Sequence, residues 1–235
     1  MDEGDGMTKY LNKTKIEWCD YTHNPAYGCN HKCVYCYARK MSHRFGRSFE
    51  PHFYPERVDA PLKHKTPSRI FEGSMTDMFG EWVPGDWLVP VFEMMSAADW
   101  HQFFVLTKNP RGIRKLYDET TNWYFGGGDF LSNVFLGVSV TYQDDDWRID
   151  ELRKQWVGPK FISFEPLYDK IECDLNGIDW IIIGAQTNPT VLPTLATIES
   201  VLYRAQDTPV FFKNNIRGVF GLSDRMFRQD FPVIK

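Results

Sequence analysis

The sequence has no apolar run approaching the ~20 residues a membrane-spanning helix needs, and no segment with the layout of a secretory signal. These absences lead us to expect a cytoplasmic protein without a membrane partner. Positive charge is not in excess either. The 27 Lys and Arg against 31 Asp and Glu leave a net charge of −4. That argues against tight nonspecific nucleic-acid binding, though a local basic groove stays open. Cysteine is scarce and odd in number, five in all with three clustered, which excludes a disulfide framework and fits a reducing compartment. Cys19 and Cys173 stand apart and read as buried free thiols. There is no internal repeat. Gly126, Gly127 and Gly128 are adjacent, but no helix start and no Lys-Ser/Thr follows them, so a phosphate cradle is not indicated.

What the chain does have is aromatic and β-branched bulk. Aromatics reach 16% of 235 residues, enough for one domain with a sizeable core and some rings left to line a pocket. Dense apolar runs recur at residues 15–18, 69–73, 103–106, 134–140, 160–164, 180–184 and 209–212. They lack alternation, as parallel strands buried on both faces do. Helical patterns lie between many of them, at 37–45, 87–98, 144–155 and 195–205. Asp86 is the expected N-cap of the second, and Pro90 is tolerable there only in the first turn. Strand–helix units in this order predict an α/β fold, a parallel barrel or open sheet. Residues 1–12 read as a disordered leader and 13–235 as a single domain, with loop insertions near 46–68 and 120–132.

The chemistry concentrates at Cys29, Cys33 and Cys36, a C-x3-C-x2-C with Tyr35 just before the last cysteine. Three thiolates hold three irons of a [4Fe–4S] cluster, which usually has four cysteine ligands, and leave one iron open to a small molecule. The alternative is a zinc or structural iron–sulfur site in a nucleic-acid or protein interaction module. Zinc needs a fourth ligand, which Cys19, His23 or His31 could supply.

In parallel barrels the active-site groups project from the C-terminal strand ends. Here those ends are polar in succession: Ser74 to Asp77, Thr107 with Lys108, Ser139, Glu165, Gln186 and Lys213. The cysteine loop follows the first strand onto the same rim. Ser74 and Asp77 are placed to accept from a cation, Ser139 to bond a hydroxyl, and Tyr35 with Ile183, Gly184 and Ala185 to flank a flat ring. Asp77 could equally cap a turn. Thr107 and Gln186 complete the set of cofactor-binding candidates. Lys108, Glu165 and Lys213 are the catalytic candidates, against the alternative that Lys108 and Glu165 form a salt bridge across the mouth.

The spacing with its aromatic resembles the signature of radical S-adenosylmethionine (SAM) enzymes. Further blocks extend the likeness: Lys15-Ile-Glu-Trp-Cys-Asp-Tyr-Thr-His-Asn-Pro25, Phe53-Tyr-Pro-Glu-Arg57, Ile70-Phe-Glu-Gly-Ser-Met-Thr-Asp-Met-Phe79, Val105-Leu-Thr-Lys-Asn-Pro110, Leu136-Gly-Val-Ser-Val140, Ser163-Phe-Glu-Pro-Leu167 and Phe211-Phe-Lys213. Together they resemble a phage-associated, radical-SAM-like three-cysteine family. The resemblance implies a partial (β/α)6 TIM-like barrel, a [4Fe–4S] cluster, SAM with its ammonium at Ser74 and Asp77, its ribose at Ser139 and its adenine at Tyr35, Ile183, Gly184 and Ala185, and an electron donor of flavodoxin or ferredoxin type. It also implies a host cytoplasm and a DNA base or nucleotide substrate. Two departures stand out. Relatives often have a longer gap between the first two cysteines. They also read Gly-Gly-Glu-Ser-Gly where this chain has Gly184-Ala-Gln-Thr-Asn188, so Gln186 replaces an acid. The basic loop 46–68, with Arg47, Arg57, Lys63, Lys65 and nearby Arg69, could hold a strand, and Phe49, Phe53 and Tyr54 could stack a base.

Overall fold

The computed structural model describes residues 9–117, 131–220 and 227–232. The insertion expected at 120–132 therefore falls almost wholly outside the described residues. In chain order the strands are β1 (Leu11–Lys13), β2 (Tyr21–His23), β3 (Ala26–Tyr27), β4 (His52–Phe53), β5 (Arg69–Glu72), β6 (Gln102–Thr107), β7 (Val134–Ser139), β8 (Lys160–Phe164), β9 (Trp180–Ile183) and β10 (Val210–Phe212). The helices are α1 (Tyr37–Arg44), α2 (Ala60–Lys63), α3 (Gly85–Ala97), α4 (Trp147–Gln155) and α5 (Leu195–Ala205).

Eight strands form one sheet in the order β1-β2-β5-β6-β7-β8-β9-β10. All neighbours are parallel except β1, which runs antiparallel along β2 with Leu11 opposite His23. The sheet is not closed, and β1 and β10 are its edges. It holds seven parallel strands rather than six. The described chain between β8 and β9 contains no helix, so the strand–helix alternation lapses there.

Each central strand is buried on both faces. On one face Ile70, Phe103, Leu136, Ile162, Ile181 and Phe212 pack against Leu88 and Phe92 of α3, Ile149 of α4 and Ile198 of α5. On the other, Phe71, Phe104, Phe135, Phe161, Trp180 and Phe211 form an aromatic row. Gly137 belongs to this row by default. A Cβ there would lie 2.5 Å from the Phe161 ring, so glycine makes the room that ring occupies.

Residues 15–18 were expected to be the first strand, and they are not a strand. They cross the aromatic face, and Trp18 lies 4.8 Å from Phe71, 5.9 Å from Phe104, 6.4 Å from Phe161 and 6.0 Å from Trp180, centroid to centroid. One side chain reaches rings from β5, β6, β8 and β9, which a flat sheet with strands about 4.8 Å apart does not permit. The sheet therefore curves around Trp18. The first parallel strand is β2, and the cysteine loop follows it. The leader expectation also fails at its end, because Leu11 and Asn12 pair in β1.

Three further expectations change. The N-cap of α3 is Pro84, with Asp86 inside the first turn. Pro90 sits in that helix's interior, where it leaves the Asp86 carbonyl without its i+4 donor. Residues 46–68 are not one irregular loop, since they contain β4, a 3₁₀ turn at Pro55–Arg57 and α2.

Candidate cofactor site

The cysteine loop is fixed at its start by Gly28. Its φ is +89°, and a Cβ would fall 2.3 Å from the Glu50 carbonyl oxygen, so only glycine fits the turn. Its N–H donates to the Met75 carbonyl (3.0 Å), and its own carbonyl accepts from Thr76 Oγ1 (2.7 Å). The loop is thereby stitched to the end of β5. At its other end Cys36 is the N-cap of α1, and its sulfur accepts from the Arg39 N–H at 3.3 Å. The Arg39 guanidinium donates to the Cys29 carbonyl (2.5 Å). The N-terminus of α1 is thus aimed at the Cys36 sulfur, with no acidic residue in its first turn.

Cys29, Cys33 and Cys36 are each half-buried and line one cavity of about 370 Å³. Burial pushes the Cys29 thiol up to about 12. Among the described residues no three His, Cys, Asp or Glu side chains converge on a position for a single metal ion. Of the fourth zinc ligands considered from sequence, His31 alone lines this cavity. His23 uses Nδ1 on Glu72 (2.7 Å) and Nε2 on the Arg57 carbonyl (2.8 Å), His31 is bound to Asp77, and Cys19 is buried without lining this cavity. Three soft thiolates around a small-molecule-sized cavity fit a [4Fe–4S] cluster with one open iron.

The rim residues predicted from sequence gather around the same cavity. Tyr35, Ser74, Asp77, Thr107, Ser139 and Gln186 line it, as do Lys108, Glu165 and Lys213. Ile183 does not. It is fully buried on the helix-facing side of β9, and Ala185 takes the lining position. Gly184 is not a lining residue. It lies against Lys213 and Glu165, where a Cβ would come within 3.0 Å of Lys213 Cδ.

Asp77 sits at the centre of the polar network. Oδ1 accepts from Thr107 Oγ1 (2.6 Å) and the Phe79 N–H (3.1 Å). Oδ2 accepts from His31 Nε2 (2.7 Å) and the Lys108 N–H (2.8 Å). A carboxylate has about four acceptor sites, and all are taken. Burial opposes its charge, but the His31 contact and the other donors outweigh that and hold its pKa below the usual value. The ammonium role expected of Asp77 is therefore corrected. It clamps the cysteine loop to the ends of β5 and β6. Ser74 also lines the cavity, and its hydroxyl donates to Asn24 Oδ1 (3.2 Å).

Lys108 and Glu165 do not pair across the mouth. Lys108 Nζ donates to the Tyr35 hydroxyl (2.7 Å) and lies 5.3 Å from that ring's centroid, and burial lowers its pKa. Glu165 pairs instead with Lys213. Burial disfavours the Lys213 charge, but the Glu165 carboxylate prevails and raises its pKa.

Several residues at or beside the cavity were given no role from the sequence. Trp18, Ile16, Phe71 and Leu106 make an apolar floor. Tyr37 donates its hydroxyl to the Ser74 carbonyl (2.6 Å). Tyr168 bonds Gln186, approaches Tyr35 at 6.2 Å and stacks on Tyr142 at 5.0 Å. His31 was considered only as a zinc ligand. The basic loop is largely engaged internally: Phe49 is buried beneath Arg39, Phe53 stacks on Trp87, and Arg57 covers Tyr54 at 3.6 Å. Phe49 and Phe53 are thus not available to stack a base.

No helix among the described residues is long and apolar enough to cross a membrane. No curated protein matches the chain. Solved structures do. Spore photoproduct lyase complexed with dinucleoside spore photoproduct aligns at TM-score 0.53 and 13% identity, over 87% of this chain and 65% of the lyase. A point mutant of that lyase aligns at TM-score 0.54 and 13% identity, over 86% and 65%. A double mutant with bound AdoMet and dinucleoside spore photoproduct aligns at TM-score 0.50 and 12% identity, over 84% and 64%. The chain thus spans a little under two thirds of the lyase's length, and the likeness is one of fold. By sequence, residues 13–219 match the model of DUF5131, a protein family of unknown function, and the chain belongs to that family.

Proposed function

We propose that the chain is a radical SAM enzyme built on a partial TIM-like barrel, with SAM bound at a [4Fe–4S] cluster. The observation that carries this is the meeting of three thiols, at C-x3-C-x2-C spacing, with the polar strand ends around one cavity. A fold neighbour with bound AdoMet supports the same reading. When bound, the cluster and SAM together supply a 5′-deoxyadenosyl radical that takes a hydrogen atom from a substrate carbon.

The chain's own residues do the holding. Cys29, Cys33 and Cys36 would bind three irons of the cluster, and Asp77 fixes the loop that presents them. Ser74 Oγ would accept from the SAM ammonium, and Ser139 and Gln186 would bond its ribose hydroxyls. Tyr35, oriented by Lys108, offers a ring edge to the adenine. The floor of Trp18, Phe71 and Leu106 excludes water from the reacting carbon. Glu165 and Lys213 form a charge pair that substrate can open, each partner then meeting a substrate group of opposite charge.

For substrate we propose a nucleobase-containing molecule, because some of the fold neighbours were solved with dinucleoside spore photoproduct bound. Anaerobic reconstitution should yield a protein with close to four irons. Dithionite and SAM should then yield 5′-deoxyadenosine, with Cys33→Ala as the blank. A cluster-loaded sample that forms none would refute the proposal, as would zinc alone in protein purified without oxygen.

A further inference from the structure

The cavity continues outward as a line of rings. Tyr35 lines the cavity, and Tyr168 stands edge-on to it at 6.2 Å and 62°. Tyr142 then stacks on Tyr168 at 5.0 Å and 25°. The strand ends build this line. Tyr142 follows β7 and Tyr168 follows β8, and the Tyr168 N–H donates to the Thr141 carbonyl (3.1 Å), which sets the two rings side by side. The Tyr168 hydroxyl bonds Gln186, a lining residue past β9, and this holds the ring at the mouth.

Neither outer ring belongs to the hydrophobic core. Tyr142 is 52% exposed, and among the described residues Tyr168 is the only ring it stacks on, so its second face is open. The turn that carries Tyr142 closes without the ring. The Tyr142 carbonyl accepts from the Asp145 N–H (3.0 Å), and Asp145 Oδ2 accepts from the Thr141 N–H (3.0 Å) and hydroxyl (2.8 Å). A smaller residue would serve that turn equally well. A stacked pair with one open face is a platform for a third flat ring. Its surroundings favour stacking over phosphate binding, which needs free cations or donors. Asp144 is exposed in the same turn, and Arg148 is paired with Asp145 (2.7 Å).

We propose that Tyr142, backed by Tyr168, is the subsite for a second base of the substrate, next to the base held in the cavity, an inference that rests on the nucleobase reading above. The substrate is then two adjoining bases joined through their sugars, not a lone base or nucleoside. The reacting base enters past Tyr35, and its neighbour lies on the open face of Tyr142. No bond forms or breaks at this subsite. It adds affinity, and it fixes which of the two bases reaches the cavity, because the other is held outside.

The test titrates cluster-loaded protein with deoxynucleosides and with deoxydinucleotides by calorimetry. At least one dinucleotide should bind about tenfold more tightly than either of its nucleosides, a gain of the size one stacked base supplies. The gain should vanish when the second position is abasic. It should persist at high salt, since it comes from a ring and not from phosphate. Tyr142→Ala should bring the dinucleotide down to the nucleoside's affinity, and Tyr142→Leu, which keeps bulk without a π face, should do the same. Tyr142→Phe and Tyr142→Trp should keep the gain. Thermal melting of all four variants should stay near wild type, which separates a lost platform from a lost fold. Nucleosides that bind with no gain from a second base overturn the subsite and leave the nucleobase reading standing. Binding by neither kind of probe overturns both. A gain that survives Tyr142→Ala and Tyr142→Leu, or that disappears with salt, overturns the assignment of the second base to this ring.

Discussion

Replacing Asp77 with Asn isolates the clamp beneath the cysteine loop, because size is kept and one acceptor becomes a donor. Both orientations of the amide fail. With Nδ2 in place of Oδ2, it faces His31, which can change tautomer, and the Lys108 backbone N–H, which cannot. With Nδ2 in place of Oδ1, it faces the Thr107 hydroxyl, which can rotate, and the Phe79 N–H, which cannot. Either way one backbone N–H is left against another N–H beside a residue only 5% exposed. An orphaned buried donor costs about 1–3 kcal/mol, and the other bonds weaken when the acceptor loses its charge. We expect Asp77→Asn to destabilise by about 3 kcal/mol, or roughly 6–12 °C in Tm for a domain of this size. Thr107→Val, which removes one donor of the four, should cost about 1 kcal/mol. Urea unfolding monitored by tryptophan fluorescence measures both. Hydrogen exchange should also show faster opening at residues 29–36 in Asp77→Asn. Stability within about 0.5 kcal/mol of wild type, with unchanged exchange, would refute the clamp.

Three other outcomes follow from the packing and the buried charges. Trp18→Ala removes a 3%-exposed ring shared by four strands and should cost about 3–5 kcal/mol, read by thermal melting; a loss under 1 kcal/mol would mean the sheet does not curve around it. Gly184→Ala puts a methyl 3.0 Å from Lys213 Cδ and 3.1 Å from Glu165 Cγ, and should cost about 1–3 kcal/mol. Gly218→Ala, with nothing within 4 Å, is the near-neutral control. The third outcome concerns pH. Both His23 contacts are best made by N–H donors; burial opposes the charged ring, but Glu72 and the two hydrogen bonds raise its pKa above 6.5. The stability it contributes is therefore complete below pH 6.5 and is lost as pH rises through the raised value. Urea midpoints should fall over that range in wild type and stay flatter in His23→Gln; equal slopes would remove His23 as the cause.

Six of the seven expected strands lie where the sequence places them, because strands buried on both faces read as unbroken apolar runs. The exception, residues 15–18, has the same composition for a different reason. Its Ile and Trp are apolar because they cover the aromatic row, and four residues are too few for periodicity to separate a strand from a covering segment. Burial on both faces also explains the misplacement at Ile183. With no polar alternation in Trp180–Ile183, nothing fixes which residues face the cavity, and an error of one position turns the side chain to the other face. The cysteines were legible because their spacing is local. The role of Asp77 was not, since its donors come from the cysteine loop, the turn after β5 and the end of β6.

The charge pairing at the rim carries that argument one step further. Chain position marks Lys108, Glu165 and Lys213 as neighbours on one edge, and by separation alone Lys108 is as good a partner for Glu165 as Lys213 is. β6 and β10 each stand two strands from β8 in the sheet order. What differs is the strand between. Past the end of β9 stands Gly184, with no side chain, and over it Glu165 and Lys213 meet. At the end of β7 stands Ser139, and Lys108 turns away to Tyr35. The choice of partner is thus made by a residue that carries no charge. For the same reason a methyl group at Gly184 should disturb the site more than its size suggests.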